Sequence, residues 1–402
     1  MSAERKAAFE RLTRWYQSSF PKAGTLRYFT APGRTELGGN HTDHNHGKVL
    51  AAAVQLEAAA VAEPCQGRIE VRSGGWDQMF VVDLADLSPR KEEEGTTEAL
   101  LRGVAYEFQR RGHKWGGFRA CVESSVLGGS GLSSSAAFEV LAGSILNALY
   151  NDGAITPAEL AMVGQAAENL HFGKPCGLMD QMASSLGGII TIDFQRPTAP
   201  VVRKLNVDFA AEGWSLCIVN TKGSHADLTP EYAAIKDEMT LVARHFGKAV
   251  LREVSESAFY DELPSLAGRF SHRALLRTIH FFEENHRVDA MVAALDAKEV
   301  GAYLKLVNAS GRSSAQYLQN TYAPTRPAEQ PIPLALALTE RFLAGEGACR
   351  VHGGGFAGTI QAYVPLNRHR DYAKAMEAVY GPGSVIELQV RQETAGETKE
   401  VL

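Results

Sequence analysis

The segment 119–149 constrains this chain more than any other. Strand-forming residues at 119–123 lead into LGGSGLSSS (127–135). From 134 to 149, Phe138, Leu141, Ile145 and Leu149 recur at three- and four-residue spacing, which predicts a helix. A strand, a glycine loop and a helix in that order gather backbone N–H groups at the positive end of a helix, and that is an anion site. The serines add hydroxyls for a phosphate or Mg²⁺. A tight turn with a helix cap is the other reading of such a loop. Two glycines ahead of GLSSSAA and a strongly periodic helix favour phosphate. The loop is not a Walker loop, because GxxxxGK[ST] does not occur. It is a poor dinucleotide fingerprint, since Ser134 stands where the third glycine belongs. The DFG signature of protein kinases is also missing, and the HRD at 369–371 has Met376 where the kinase catalytic loop needs asparagine.

Glycine supplies 38 of 402 residues, above the ~7% of average usage, and two further clusters hold much of the excess. VHGGGFAGTIQAYV (351–364) contains Gly353-x-Gly355-x-x-Gly358, a match to GxGxxG. A strand follows it where a dinucleotide site needs a helix. The cluster is therefore either a turn between elements or a backbone loop pressed against a ligand. GRTELGGNHTDHNHG (33–47) brings together His41, Asp43, His44 and His46. Such spacing occurs in metal sites of hydrolases. With no further His, Cys or Asp set at a telling spacing, a polar loop that exchanges hydrogen bonds with sugar hydroxyls is the favoured reading.

Elsewhere the pattern predicts a helix over 4–19 with Phe9, Leu12, Trp15 and Tyr16 on one side, a strand at 27–30 and a loop over 31–48. The alanine-rich run 49–63 reads as strand or buried helix. A hairpin is expected at 68–84 and a helix at 97–111. Thr156-Pro-Ala-Glu159 is a capping box opening a helix whose apolar stripe is Leu160, Val163, Ala167 and Leu170. Strands are expected at 189–194 and 215–220, mostly helix over 230–340, and strands at 359–364 and 385–390 around a helix.

At ~100–200 residues per domain, the length suggests two domains. Lys plus Arg is 41 and Asp plus Glu is 46, a net charge of −5. That is no basic excess for nucleic acid. No apolar run approaches a membrane span, and the charged start lacks the apolar core of a secretory signal. Five scattered cysteines without CxxC give no disulfide framework or Cys-rich zinc site, so a cytoplasmic setting is expected.

The three clusters, in this order, resemble the three motifs of the GHMP sugar and small-molecule kinase superfamily, and within it the galactokinases. The family's first motif is roughly GRVNLIGEHTDYNGG, matched at 33–47. Its second, GLSSSAA, is intact at 131–137. Its third, GGGFGG, is GGGFAG at 353–358. ENLHFGKPCGLMDQ (168–181) matches a galactokinase-type segment. The resemblance implies an α+β fold of two domains, 1–205 with the sugar motif and phosphate loop and 206–402 with the third motif. Each would be a mainly antiparallel sheet packed with helices, and the active site would lie in the cleft between them. It implies ATP-dependent phosphorylation of the anomeric hydroxyl of galactose, with ATP and Mg²⁺ as cofactors. The ATP loop would be Gly128, Gly129, Ser130, Gly131, Leu132, Ser133, Ser134 and Ser135. Ser134 and Glu168 would hold Mg²⁺, Asp180 would take the hydroxyl proton, and Arg34 would stabilise the transferred phosphoryl group. His41, Asp43, Gly177 and Tyr232 would bind the sugar. The only partners implied are the sugar and ATP, with no nucleic acid or membrane, on a monomer or weak homo-oligomer.

The departures carry information. The family's Glu ahead of His-Thr-Asp, which in galactokinases helps bind the C6 hydroxyl, is Asn40, and its Asn four residues earlier is Glu36. Either this swap is compensated locally, or the C6 pocket has gained an amide donor that suits a carboxylate, as in galacturonate. His44, Ala357 and Leu127 are milder departures from Tyr, Gly and Pro. Two other classes stay open: a kinase-like sugar sensor without turnover, and a metallohydrolase using the His-rich loop.

Overall fold

The computed structural model describes residues 3–20, 24–126, 128, 131–223 and 228–398. Two sheets organise it. The first contains β1 (Arg27–Gly38), β2 (Lys48–Cys65), β3 (Arg68–Ser73), β4 (Met79–Asp83), β5 (Gly117–Ser124), β6 (Ile189–Asp193) and β7 (Val201–Leu205). The second, smaller sheet contains β8 (Trp214–Asn220), β9 (Ala348–Val351), β10 (Thr359–Pro365) and β11 (Val385–Leu388), in the order β11-β8-β10-β9. The chain then returns, and β12 (Gly396–Glu397) adds to the edge of the first sheet, which runs β12-β1-β2-β5-β3-β4 with β6 on β2 and β7 on β6. Pairing is antiparallel except for β3 with β5.

The alanine-rich run is strand, not helix. β2 is 18 residues long and pairs with β1, β5 and β6. Its alanines at 51–53, 58–60 and 62 are buried, so both faces of the strand are covered at close range. β1 also runs further than its composition suggests. The expected loop at 31–38 is strand, with irregular register between Pro32 and Arg34 and again between Glu36 and Gly38. Proline and glycine are admitted there because a bulge needs no regular ladder. Arg34 and Glu36 therefore sit on a braced strand.

Helices cover the sheets: α1 (Ala3–Ser19), α2 (Thr97–Arg110), α3 (Ser134–Asn151), α4 (Pro157–Ala167), α5 (Met179–Leu186), α6 (Thr229–His245), α7 (Glu256–Leu266), α8 (His272–Asp296), α9 (Val300–Ser313), α10 (Pro331–Leu343) and α11 (His369–Tyr380). The main core joins Phe29 and Leu50 of the first sheet to Leu216, Ile218, Tyr363 and Leu388 of the second. On β8 the intervening Cys217 and Val219 turn to the other face and pack with Ile332, Ala335, Tyr372 and Met376. No described helix is long and apolar enough to cross a membrane.

The helix opened by Thr156 departs from its expected stripe. The Thr156 hydroxyl accepts from the Glu159 N–H at 3.3 Å, as a capping box requires. Leu160, Val163 and Ala167 are buried, but Leu170 is 57% exposed. After Ala167 the chain widens into a π turn, Glu168–Phe172, closed by Gly173 in a left-handed conformation. The wider turn shifts the helical phase, so Glu168 and His171 face inward in place of Leu170. Accordingly, Leu160→Ala should cost about 2–5 kcal/mol in urea unfolding. Leu170→Ser should stay within about 0.5 kcal/mol. A large loss at Leu170 would contradict the phase shift.

Candidate active site

The irregular end of β1 brings Arg34 against the phosphate loop. The Arg34 N–H donates to the Leu132 carbonyl at 3.0 Å, and the Arg34 guanidinium donates to the Gly131 carbonyl. A Cβ on Gly33 would stand 3.0 Å from the Leu132 oxygen, so glycine permits this approach. Two other guanidinium nitrogens, Nε and Nη2, donate to Asp180 Oδ1 and Oδ2 at 2.7 and 2.8 Å. Asp180 is in the first turn of α5. Ser133, left-handed at the start of α3, donates to Asp180 Oδ2 at 2.5 Å. Burial pushes the Asp180 carboxyl up, but the Arg34 charge and the Arg34 and Ser133 hydrogen bonds outweigh it, and it stays below the usual carboxylate range.

Glu168 forms a second carboxylate centre, 2% exposed. Its Oε1 accepts from Ser135 Oγ and Lys174 Nζ, both at 2.9 Å. Its Oε2 accepts from Gln181 Nε2 at 2.9 Å, and the same amide donates to Glu139 Oε2 at 3.0 Å. Burial and then the Glu168 charge push the Glu139 carboxyl far up, so it is held neutral. The hydroxyl that meets Glu168 is Ser135's, one residue beyond the Ser134 suggested by the motif. Ser133 caps α3, and the helical phase that follows directs the Ser135 hydroxyl to Glu168. Paired hydroxyl and carboxylate oxygens suit Mg²⁺, which takes one or two carboxylates and completes its shell with phosphate and water.

Within the loop, Gly128 is exposed and Leu132 buried, while Gly129 and Ser130, like Leu127, lie outside the described residues. Gly131 is left-handed, and a Cβ there would stand 2.7 Å from Thr359 Oγ1 and 2.8 Å from His352 Nδ1. Thr359 at the start of β10 and His352 just after β9 thus press directly on the glycine loop.

The sugar-motif residues gather on the other side. A Cβ on Gly177 would stand 1.7 Å from Asp43 Oδ2, so only glycine admits the Asp43 carboxylate there. His41 Nε2 donates to the Gly354 carbonyl at 2.9 Å. Burial, then the neighbouring His44, lowers its pKa to about 3, so it is neutral near pH 7. The rings of His41 and His44 stack at 5.9 Å. No three His, Cys, Asp or Glu side chains converge on a metal site among the described residues. Tyr232 donates to the Gly355 carbonyl at 3.0 Å and packs edge-on to Phe356. It is part of the wall of the third motif; residues 224–227 of the Ser-His segment ahead of it lie outside the described residues.

Asn40 and Glu36 face each other. Asn40 Nδ2 donates to the Glu36 carboxylate at 3.0 and 3.2 Å and to the Gly353 carbonyl at 2.8 Å. Asn40 Oδ1 accepts from Asn320 at 2.9 Å and Ser314 at 3.2 Å. Glu36 is in turn paired with the fully buried Arg350 of β9. Beneath them, His280 Nε2 donates to the Asn40 carbonyl at 2.9 Å, and Glu284 accepts from the Gly39 N–H at 3.1 Å. None of Arg350, Asn320, Ser314, His280 or Glu284 was singled out from the sequence. The one visible signal was a lone arginine in the apolar strand ACRV (348–351).

Burial pushes the Glu36 carboxyl up, and Arg350 opposes that. Arg350→Met should therefore cost about 3–5 kcal/mol. A carboxyl with a raised folded-state pKa contributes stability at low pH that is lost as pH rises. The loss in Arg350→Met should thus be larger at pH 8 than at pH 5, about the unperturbed carboxylate range. Adding Glu36→Gln should recover much of it. Equal losses at both pH values in urea unfolding would refute this account.

A model of the GHMP kinases N-terminal domain matches residues 99–188, and a galactokinase galactose-binding signature matches 14–64. Galactokinase of Streptomyces coelicolor is 32% identical over 360 residues, 88% of each chain. Lactococcus lactis galactokinase, solved with galactose, superimposes with a TM-score of 0.82 at 23% identity, covering 98% of this chain and 100% of that one. Methanococcus jannaschii mevalonate kinase superimposes at 0.64 and 15% identity, over 91% of this chain and 99% of that one. With the sugar motif, the phosphate loop and the arginine–aspartate pair brought together in one fold, the chain belongs to the galactokinase family of GHMP sugar kinases.

Proposed function

We propose that the protein transfers the γ-phosphoryl group of ATP to the anomeric hydroxyl of galactose. The observation that carries this reading is the bidentate Arg34–Asp180 pair set against the phosphate loop. In it, Asp180 is an ionised base that takes the hydroxyl proton as the oxygen attacks phosphorus. Arg34 holds that base ionised and has its remaining donor directed at the loop, where it meets charge developing on the phosphoryl group. Residues 128–135 cradle the ATP phosphates. Ser135, with Ser134 beside it, and Glu168 would hold Mg²⁺, which would neutralise phosphate charge. Asp43, His41, Gly177 and Tyr232 line the sugar side. In this reading the units 1–205 and 206–402 enclose the site between them, the first supplying base and phosphate loop, the second the glycine-rich wall.

The swap at 36 and 40 fits galactose better than a C6 carboxylate. Both amide protons of Asn40 are already given to Glu36 and Gly353. No donor of that side chain is left to receive galacturonate, and the local compensation by Arg350 accounts for the exchange. The sensor reading gains nothing from a site in which base, arginine and hydroxyls are assembled.

ATP consumption with Mg²⁺ should be strong on galactose and no greater on galacturonate. Asp180→Asn should lower kcat by about 10²–10⁴-fold while sugar binding persists. Because the Asp180 carboxyl is held below its usual range, kcat/KM should show no carboxylate-linked fall from neutrality down to about pH 5. In Arg34→Met that acid limb should move upward. A preference for galacturonate, or sugar binding without turnover on any hexose, would overturn the proposal.

A further inference from the structure

We propose that the Lys174 ammonium is a resident counter-ion on Glu168 that gives way to Mg²⁺ and then faces the nucleotide phosphates, making Lys174 a positioning residue for Mg·ATP. This rests on the ATP and Mg²⁺ reading above and adds a residue to it. Glu168 is almost wholly buried, and a buried carboxylate without a cation is costly. Its Oε2 is taken by Gln181, so its Oε1 is the oxygen that meets Ser135, and Lys174 Nζ lies on that same oxygen at 2.9 Å. The ammonium thus holds the Glu168 oxygen that a cation shared with Ser135 would need. The two partners differ in freedom. Glu168 is fixed in the π turn, whereas the Lys174 side chain is 56% exposed. The Lys174 N–H donates to the Glu168 carbonyl at 3.2 Å, so the root of the side chain stays beside the site when its tip moves. Gly173, left-handed, folds the chain back to make this clasp. The same ammonium helps lower Asp180, so its charge already reaches the centre of the proposed chemistry.

A resident ammonium repels a divalent ion but attracts triphosphate, so removing its charge should move the two affinities in opposite directions. The test uses Mn²⁺ titrations of nucleotide-free protein, followed by the EPR signal of free Mn²⁺. Calorimetric titration with Mg²⁺ and the ATP analogue AMPPNP runs beside them. Lys174→Gln keeps a hydrogen-bond donor for Glu168 without the charge, and so guards against misfolding in Lys174→Met. Either variant should bind Mn²⁺ roughly tenfold more tightly than wild type, the scale of one screened charge a few ångströms away. Each should bind Mg²⁺·AMPPNP at least about threefold more weakly. Lys174→Arg, which keeps the charge, should stay within about twofold of wild type for both. Unchanged or weaker Mn²⁺ binding, or both affinities falling together, would overturn the proposal and leave the kinase reading standing. If wild type failed to bind Mg²⁺·AMPPNP at all, both would fall.

Discussion

The arrangement of the site depends on the ion pair between Arg34 and Asp180, two residues 146 positions apart. Taking both charges out of water is costly, and a single contact would not offset it. Here the geometry is bidentate, Ser133 satisfies another lone pair of the carboxylate, and the Gly131 carbonyl accepts from the third guanidinium nitrogen. Each partner lies on a different element: β1, the start of α3 and the start of α5. The pair therefore fixes how the strand, the phosphate loop and the base-bearing helix stand to one another. It also keeps the Asp180 carboxyl below the usual carboxylate range.

Around this pair the charges alternate in a way that limits their cost. Arg34 meets Asp180, Lys174 meets Glu168, and Arg350 meets Glu36. Glu139, which has no such cation in hydrogen-bond contact among the described residues, is the carboxyl kept neutral. Gln181 spans Glu168 and Glu139 with one amide nitrogen, so the neutral acid and the ion share a donor without sharing a charge.

Much of this was legible in the chain itself, because the informative signals were local. The glycine loop followed by an amphipathic helix, the Thr156 cap and the alternating strands all depend on neighbours in sequence. What escaped depended on distance or on phase. Pro32 and Gly33 read as loop because composition does not show a bulge. Leu170 read as core because a straight helix was assumed, and one wide turn exchanges it for Glu168. Ser134 and Ser135 are indistinguishable by type, and only the fold shows that the Ser135 hydroxyl meets Glu168. The roles of Asn40 and Glu36 lay in Arg350, Asn320 and Ser314, nearly three hundred residues away or more.

The substitution of Ala357 in the third motif shows how close packing, not glycine count, governs such a site. The glycines that matter are those with something pressed against them. Asp43 stands where a Gly177 side chain would go, Thr359 and His352 where a Gly131 side chain would go, and the Tyr232 ring 2.6 Å from a Cβ built on Gly354. Ala357 has a methyl group, and the residue across from it is Gly223, whose own Cβ would come within 3.2 Å of that methyl. The glycine at 223 leaves room for the Ala357 methyl, and the close approach is kept. The left-handed backbone of the loop falls instead on Gly353, Gly355, Phe356 and Gly358, so Ala357 needs no conformation that a Cβ opposes. A motif glycine is replaceable where its role is space that a neighbour can supply. It is not replaceable where, as at Gly177, the space is held by a carboxylate of the site itself.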